Sequence, residues 1–228
     1  VLAAYPDVDP KKVVTIRNGV DTSEFAPNNN PAVLEEFGIT GRYAMFVGRI
    51  TRQKGLAHLL RAWKSVPAEY GLVLAAGSPD EETVGNEVAA LIAELQATRS
   101  NVWWIKEMLP HDKLTAALTQ ADLFLCPSIY EPLGIVNLEA MGCETAVLAS
   151  RVGGIPEVVS HQETGILVDY TPDHSRFEAD LTAAISELMA DPARLEKYGK
   201  AGRVRAETHF GWDAVAQQTI SLYRSVIS

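Results

Sequence analysis

Residues Glu131 to Glu139 read E-P-L-G-I-V-N-L-E and run directly into A-M-G-C, ending at Cys143. The preceding D-L-F-L-C-P-S, Asp122 to Ser128, has the unbroken apolar character of a buried strand, and I-V-N-L-E-A-M carries helical periodicity. A carboxylate therefore stands at each end of a strand-to-helix turn. Glu131 belongs at the mouth of the strand, Gly134 lets a ligand approach the backbone, and Glu139 lies on the first turns of the helix. The opening turn of such a helix has amide N–H groups with no intrahelical partner, which suit an anion.

Working outward, the same alternation fills most of the chain. Strand-like runs fall at Val13 to Ile16, Tyr43 to Val47, Leu72 to Ala76, Val102 to Ile105, Leu123 to Cys126, Ala146 to Ala149 and Ile166 to Val168. Helical patterns lie between them at about Gly55 to Ser65, Glu81 to Thr98, His111 to Gln120, Val136 to Gly142 and Pro156 to Ser160. This predicts an α/β fold: one Rossmann-like, doubly wound parallel sheet with right-handed crossovers and ligands at the carboxyl ends of the strands. After Asp169 the strands stop, and Ser175 to Ala190, Pro192 to Thr208 and Trp212 to Ile227 read as C-terminal helices, with Asp191 capping the second.

A chain of 228 residues is sized for one such domain. It begins Val-Leu-Ala-Ala, without an initiator Met or a charged-then-apolar leader, and reads as a piece without a signal peptide. No apolar run reaches the roughly 18 residues of a membrane span. The net charge of -9 argues against nucleic acid as a partner. Cys126 and Cys143 lack metal or redox spacing and read as buried free thiols in a reducing, cytoplasmic setting. Asp7-Val8-Asp9 spells D-x-D, but in a Pro-flanked loop beside Lys11 and Lys12, where metal binding is the lesser reading. The histidines at 58, 111, 161, 174 and 209 show no paired ligand spacing, so no metal site is indicated.

Three blocks in order carry a resemblance. They are F-V-G-R-I-T-R-Q-K-G (Phe46 to Gly55), E-P-L-G-I-V-N-L-E, and V-G-G-I-P-E-V-V (Val152 to Val159). Together they resemble the retaining glycosyltransferases of the B-type fold, the glycogen and starch synthase-like group, over nearly the whole chain from about Val13. Two glutamates with seven residues between them are that family's hallmark, and Glu131 and Glu139 have this spacing.

The resemblance implies a nucleotide-sugar site. Glu131 would orient the donor glucose, Glu139 would accept hydrogen bonds from the ribose hydroxyls, and the backbone of Gly134, Ile135 and Val136 would hold the distal phosphate. Gly48 would permit close approach of the diphosphate. Arg49 and Lys54 would neutralise the charge that builds on the leaving diphosphate, stabilising the transition state more than the ground state; read alone, this basic turn could equally be solvated. The catalytic set is thus Arg49, Lys54 and Glu131. The base edge would meet the segment Glu107, Met108 and Leu109, with Gly77-Ser78-Pro79 at the neighbouring strand end. Trp103 and Trp104 face opposite ways on a strand and suit burial better than base stacking. Trp212 and Tyr223 have core packing as their ordinary reading and docking to a partner domain as the other.

B-type enzymes have two such domains, and this length matches the C-terminal, donor-binding one, so the acceptor site would lie in an N-terminal domain absent from the chain. Gly142 and Arg151 depart from residues common in relatives without touching the proposed contacts. The implied function is donor binding for transfer of glucose from a nucleotide-diphosphate glucose, ADP-glucose favoured, to an α-glucan such as glycogen. The alternatives are a maltose-1-phosphate synthase or other small-acceptor enzyme, and a non-catalytic nucleotide-sugar-binding module. No cofactor or metal is implied beyond the donor itself. A glycosidase is disfavoured, since its paired acids must flank one bond.

Overall fold

The computed structural model describes residues 4–227; the opening Val1 to Ala3, on which the leader argument partly rested, lies outside them. Six parallel strands form one sheet in the order β3-β2-β1-β4-β5-β6. They are β1 Tyr43–Ile50, β2 Gly71–Pro79, β3 Val102–Ile105, β4 Leu123–Cys126, β5 Ala146–Ser150 and β6 Gly165–Val168. The chain winds outward from β1 through β2 to β3, then returns to place β4 against the other side of β1, Ala44 opposite Leu123 and Met45 opposite Phe124. The order reverses there, and the crevice above the β1 and β4 carboxyl ends is where such sheets bind ligands.

The strands read as continuous apolar runs because both sheet faces are covered. On one face Leu72, Leu74, Leu123 and Leu125 pack against α2 (Leu56–Trp63), α3 (Glu82–Thr98) and α7 (His174–Met189). On the other, Met45, Val73, Phe124 and Val147 meet α4 (His111–Gln120) and α5 (Ile135–Gly142). Each such side chain contributes about 1.5 to 3 kcal/mol of burial. Trp103 and Trp104 divide between these two cores, as strand alternation requires, and Trp104 Nε1 donates to the Ala76 carbonyl at 3.0 Å.

Three expectations need correction. Val13 to Ile16 is not a strand: the segment pairs with no neighbour and Val14 is 55% exposed. The apolar, β-branched run marks an extended segment, but it joins neither of the sheet's edge strands, β3 or β6; the nearest pairing is an isolated bridge from Val20 to Gly211. Trp212 and Tyr223, on α9 (Trp212–Ile227), are not core residues, since they are 54% and 63% exposed and α9 buries no residue. The segment Pro192 to Thr208 is not one uniform helix: α8 (Pro192–Arg205) gives way to a wider π turn at Ala206–Phe210. The short α1 (Ala32–Phe37) was not anticipated. Two turns are too few to show a period.

Asp191 caps α8 as expected, accepting from the Arg194 N–H at 3.0 Å. Asp9 of the D-x-D segment is engaged likewise, accepting from the Lys11 N–H at 3.0 Å to cap the turn Pro10–Lys12. The remaining helix, α6 (Ile155–Val158), follows β5 across a tight turn at Gly153 and Gly154.

Candidate active site

The carboxyl end of β1 supplies the floor of the crevice. The strand continues through Gly48 to Ile50, three residues beyond the expected Val47, with a register shift between Gly48 and Ile50 against β2. Arg49 therefore projects from an irregular strand end, and its Nη1 bonds Asp80 at 2.7 and 2.9 Å. The pair is open to solvent, Arg49 being 70% and Asp80 46% exposed, so by itself it adds little to stability. Asp80 gave no signal in the sequence; only the β1–β2 pairing brings it opposite Arg49.

Lys54 closes a single 3₁₀ turn, Arg52–Lys54, capped by the Thr51 hydroxyl, which accepts the Lys54 N–H at 3.3 Å. Its side chain runs past Gly48, where the missing side chain leaves Lys54 Cδ 3.9 Å from the position a Cβ would take. Lys54 Nζ ends 2.6 Å from Glu131 Oε2, and the two side chains are only 21% and 13% exposed. Residues far apart in the chain thus meet as a partly desolvated ion pair at the reversal point of the sheet. Removing either partner would strand the other charge, which is expensive there.

Glu131 is held by its backbone. The Gly154 N–H donates to the Glu131 carbonyl at 3.0 Å, and the Ile129 N–H donates to the Gln53 carbonyl at 2.8 Å. The β5–α6 turn fits so closely beneath Glu131 that a Cβ on Gly153 would stand 1.9 Å from the Glu131 carbonyl oxygen, at φ 52°. The V-G-G-I-P segment is thereby explained: it is the seat of the glutamate loop.

Gly134, at φ 88° and ψ 51°, turns the chain into α5 and leaves the first backbone N–H groups of Ile135 and Val136 at the helix start. Beneath this turn lies Asn137, fully buried, with neither amide atom hydrogen-bonded among the described residues. Glu139 follows two residues on in the same helix. Burial raises its carboxyl above the ordinary carboxylate range, against the opposing pull of His111 and Lys54. A carboxylate desolvated this way gains by meeting hydrogen-bond donors. Sequence reasoning set His111 aside, because its nearness to Glu139 comes from α4 packing beside α5.

The opposite wall is a cavity of about 510 Å³ lined by Val47, Gly48, Arg49, Gly77, Met108 and Leu109, among others. Leu109 is buried, while Met108 is 94% exposed. All three proposed base-edge residues, Glu107, Met108 and Leu109, and Arg49 thus share one cavity with Gly48, and Lys54, Glu131, Gly134, Ile135, Val136 and Glu139 belong to the other wall. Cys126 and Cys143 are free and buried; burial raises both thiols, Cys143 to about 12, so neither is a nucleophile at neutral pH. No group of acid, histidine and cysteine side chains suited to a metal occurs among the described residues. Nor, among them, is any helix long and apolar enough to cross a membrane.

An open parallel sheet with an ion pair and a free helix start at its reversal point is a doubly wound, Rossmann-like α/β domain. The family model described as "Glycosyl transferases group 1" matches residues 35–205, and the chain belongs to that family. It is 47% identical over 232 residues to the alpha-maltose-1-phosphate synthase of Mycolicibacterium smegmatis, covering 99% of this chain and 60% of that protein. Identity to a Mycobacterium tuberculosis glycogen synthase is 31% over 221 residues, covering 93% and 48%. Among solved structures, a sucrose-phosphate synthase from Thermosynechococcus elongatus superposes with a TM-score of 0.77 at 32% identity, covering 93% of this chain and 52% of that one. The Anabaena protein HepE, in complex with UDP-glucose, superposes at 0.81 with 21% identity over 96% and 59%. The fold is that of B-type glycosyltransferases, and the chain spans about half to 60% of the length of the relatives it matches.

Proposed function

We propose that this chain is the donor-binding half of a retaining glucosyltransferase that uses a nucleotide-diphosphate glucose. The observation that carries the reading is the Lys54–Glu131 pair, 2.6 Å apart and largely desolvated, facing the free helix start at Gly134. A diphosphate seated on the Ile135 and Val136 N–H groups would draw Lys54 to itself and release the Glu131 carboxylate to the glucose hydroxyls. Arg49 would leave Asp80 for the same diphosphate. Glu139, destabilised as an anion by burial, would take the ribose hydroxyls as donors.

In the reaction the bond from the sugar C1 to the diphosphate oxygen breaks, and an acceptor hydroxyl oxygen bonds C1 on the same face. The acceptor proton passes to the departing diphosphate oxygen, so no protein base is required. Lys54 and Arg49 stabilise the negative charge as it grows. The acceptor would be held by an N-terminal domain outside this chain, and closure of the two domains would supply much of the rate through positioning.

Glycogen was the first acceptor to consider from the sequence. The identities favour the small-acceptor alternative, because 47% to an alpha-maltose-1-phosphate synthase far exceeds 31% to a glycogen synthase. The product expected from the complete protein is maltose 1-phosphate or a related small glucoside. ADP-glucose remains the donor of choice.

Calorimetric titration of the chain with ADP-glucose, UDP-glucose, ADP and UDP tests the donor reading. Micromolar to millimolar binding is the order expected, with adenine preferred and the diphosphate carrying most of the affinity. Absence of binding by all four would defeat it. With the N-terminal domain restored, transfer to a small phosphorylated sugar should exceed transfer to glycogen, and the reverse ranking would return the α-glucan reading to first place.

A further inference from the structure

Asn137 is a costly residue where it stands. It occupies the first turn of α5, is 0% exposed, and leaves both Nδ2 and Oδ1 without a hydrogen-bond partner among the described residues. An apolar side chain of the same shape would fill the space without that penalty. The Cys126 thiol lies close enough to feel the amide, but the geometry does not amount to a hydrogen bond, and a thiol is a weak partner in any case. The neighbouring Ser128 hydroxyl is already turned to Cys126 at 3.5 Å.

The amide is aimed at the turn. Asn137 Nδ2 lies 2.5 Å from where a Cβ on Gly134 would stand, and the Asn137 backbone N–H donates to the Gly134 carbonyl at 2.9 Å. The side chain is thus folded back beneath the peptide units that open α5. An amide held there is a fixed dipole in a water-free space against the Gly134 turn that opens α5.

We infer that Asn137 is a positioning residue for the donor diphosphate: its buried amide braces the Gly134 turn and reinforces the field that the helix start presents to the phosphate. This rests on the donor reading above and adds to it a residue that touches no substrate. The turn without its amide would still form, because Gly134 and the α5 backbone define it, but it would bind an anion less well.

The signature is a pair of effects with opposite sign. Asn137→Leu should melt at or above the parent temperature, since a buried unpaired amide is exchanged for an apolar group of similar shape. It should nonetheless bind ADP roughly tenfold more weakly, the scale of one well-placed polar interaction, with adenosine binding unchanged. Asn137→Ala, which asks for no added volume, carries the same expectation for ADP. Asn137→Asp should bind ADP more weakly still, and the gap to the Leu variant should persist in salt because the charge is buried. If Leu and Ala variants fold and bind ADP within twofold of the parent, the inference is wrong. Failure of both to fold would assign Asn137 a structural role and overturn it equally. A parent that binds neither ADP nor UDP would defeat the donor reading, and this inference with it, before any variant is compared.

Discussion

The two walls of the crevice are built on opposite principles. On the β4–β5 side, Lys54 and Glu131 are mostly buried, the Glu131 backbone is fastened to the β5–α6 turn, and Asn137 is sealed beneath Gly134. On the β2–β3 side, Arg49 and Asp80 are open to solvent and Met108 is 94% exposed. One wall is fixed before any ligand arrives; the other has room to adapt. In the proposed reaction the fixed wall faces the sugar and phosphates, where misplacement is costly to rate. The adaptable wall faces the base through Met108, remote from the bond that breaks, and only Arg49 at its edge would swing across to the diphosphate.

The sharpest way to break this contrast is at Gly153. An alanine there would need φ 52° and would set its Cβ 1.9 Å from the Glu131 carbonyl oxygen, so the glutamate loop must move. Gly153→Ala should cost about 3 kcal/mol or more of stability, read as a lower urea midpoint, and should abolish detectable ADP-glucose binding. A variant with the parent midpoint and affinity would show that the seat beneath Glu131 is not rigid.

Next come the two cations, one from each wall. Lys54→Ala should weaken ADP binding by about 1.5 to 3 kcal/mol, the range for charged hydrogen bonds with a desolvated partner. Arg49→Ala should cost less, about 1 kcal/mol, because its side chain is 70% exposed and must first leave Asp80. Adenosine should bind both as it binds the parent. Equal losses in the two variants would erase the distinction between the walls. Smaller again is Met108→Ala, for which adenosine and ADP should weaken together by about 0.5 to 1 kcal/mol; a loss confined to ADP would remove Met108 from the base.

What could be read in the sequence followed the same division. Parallel strands covered on both faces declare themselves as unbroken apolar runs, and all six were placed within a few residues of their observed ends, with β1 and β2 running on past their apolar runs to Ile50 and Pro79. The fixed wall was legible because close backbone approach demands particular residues: Gly134 and the Gly153–Gly154 pair mark it. Partners supplied by tertiary packing were not. Asp80 meets Arg49 only through the β1–β2 register, and His111 faces Glu139 only because α4 lies against α5. Asn137 sat inside the most informative segment and still went unnoticed, since a helical polar residue gives no hint that it is buried without a partner. Val13 to Ile16 failed for a related reason: a β-branched apolar run reports extension, and only the sheet decides whether an extended segment is paired.

The smallest effect, and the most specific, concerns Glu139. Burial raises its carboxyl above the ordinary value of 4.5, while His111 and Lys54 pull the other way. As pH rises through the ordinary carboxylate range, the unfolded chain gives up this proton while the folded chain retains it, so the fold loses stability until the raised value is passed. Above that raised value the ligand-free domain carries a destabilised anion. Glu139→Gln should be more stable than the parent at pH 7 by thermal melting, and the advantage should shrink on acidification and vanish below pH 4.5. Nucleotide should expose the counterpart of that cost. If the carboxylate is kept for the ribose, the parent should prefer ADP to 2′-deoxy-ADP and the variant should discriminate less. A variant that is no more stable at pH 7, or that keeps the parent's ratio of the two affinities, would take Glu139 out of the ribose site and leave it as a helix residue on the edge of the fixed wall.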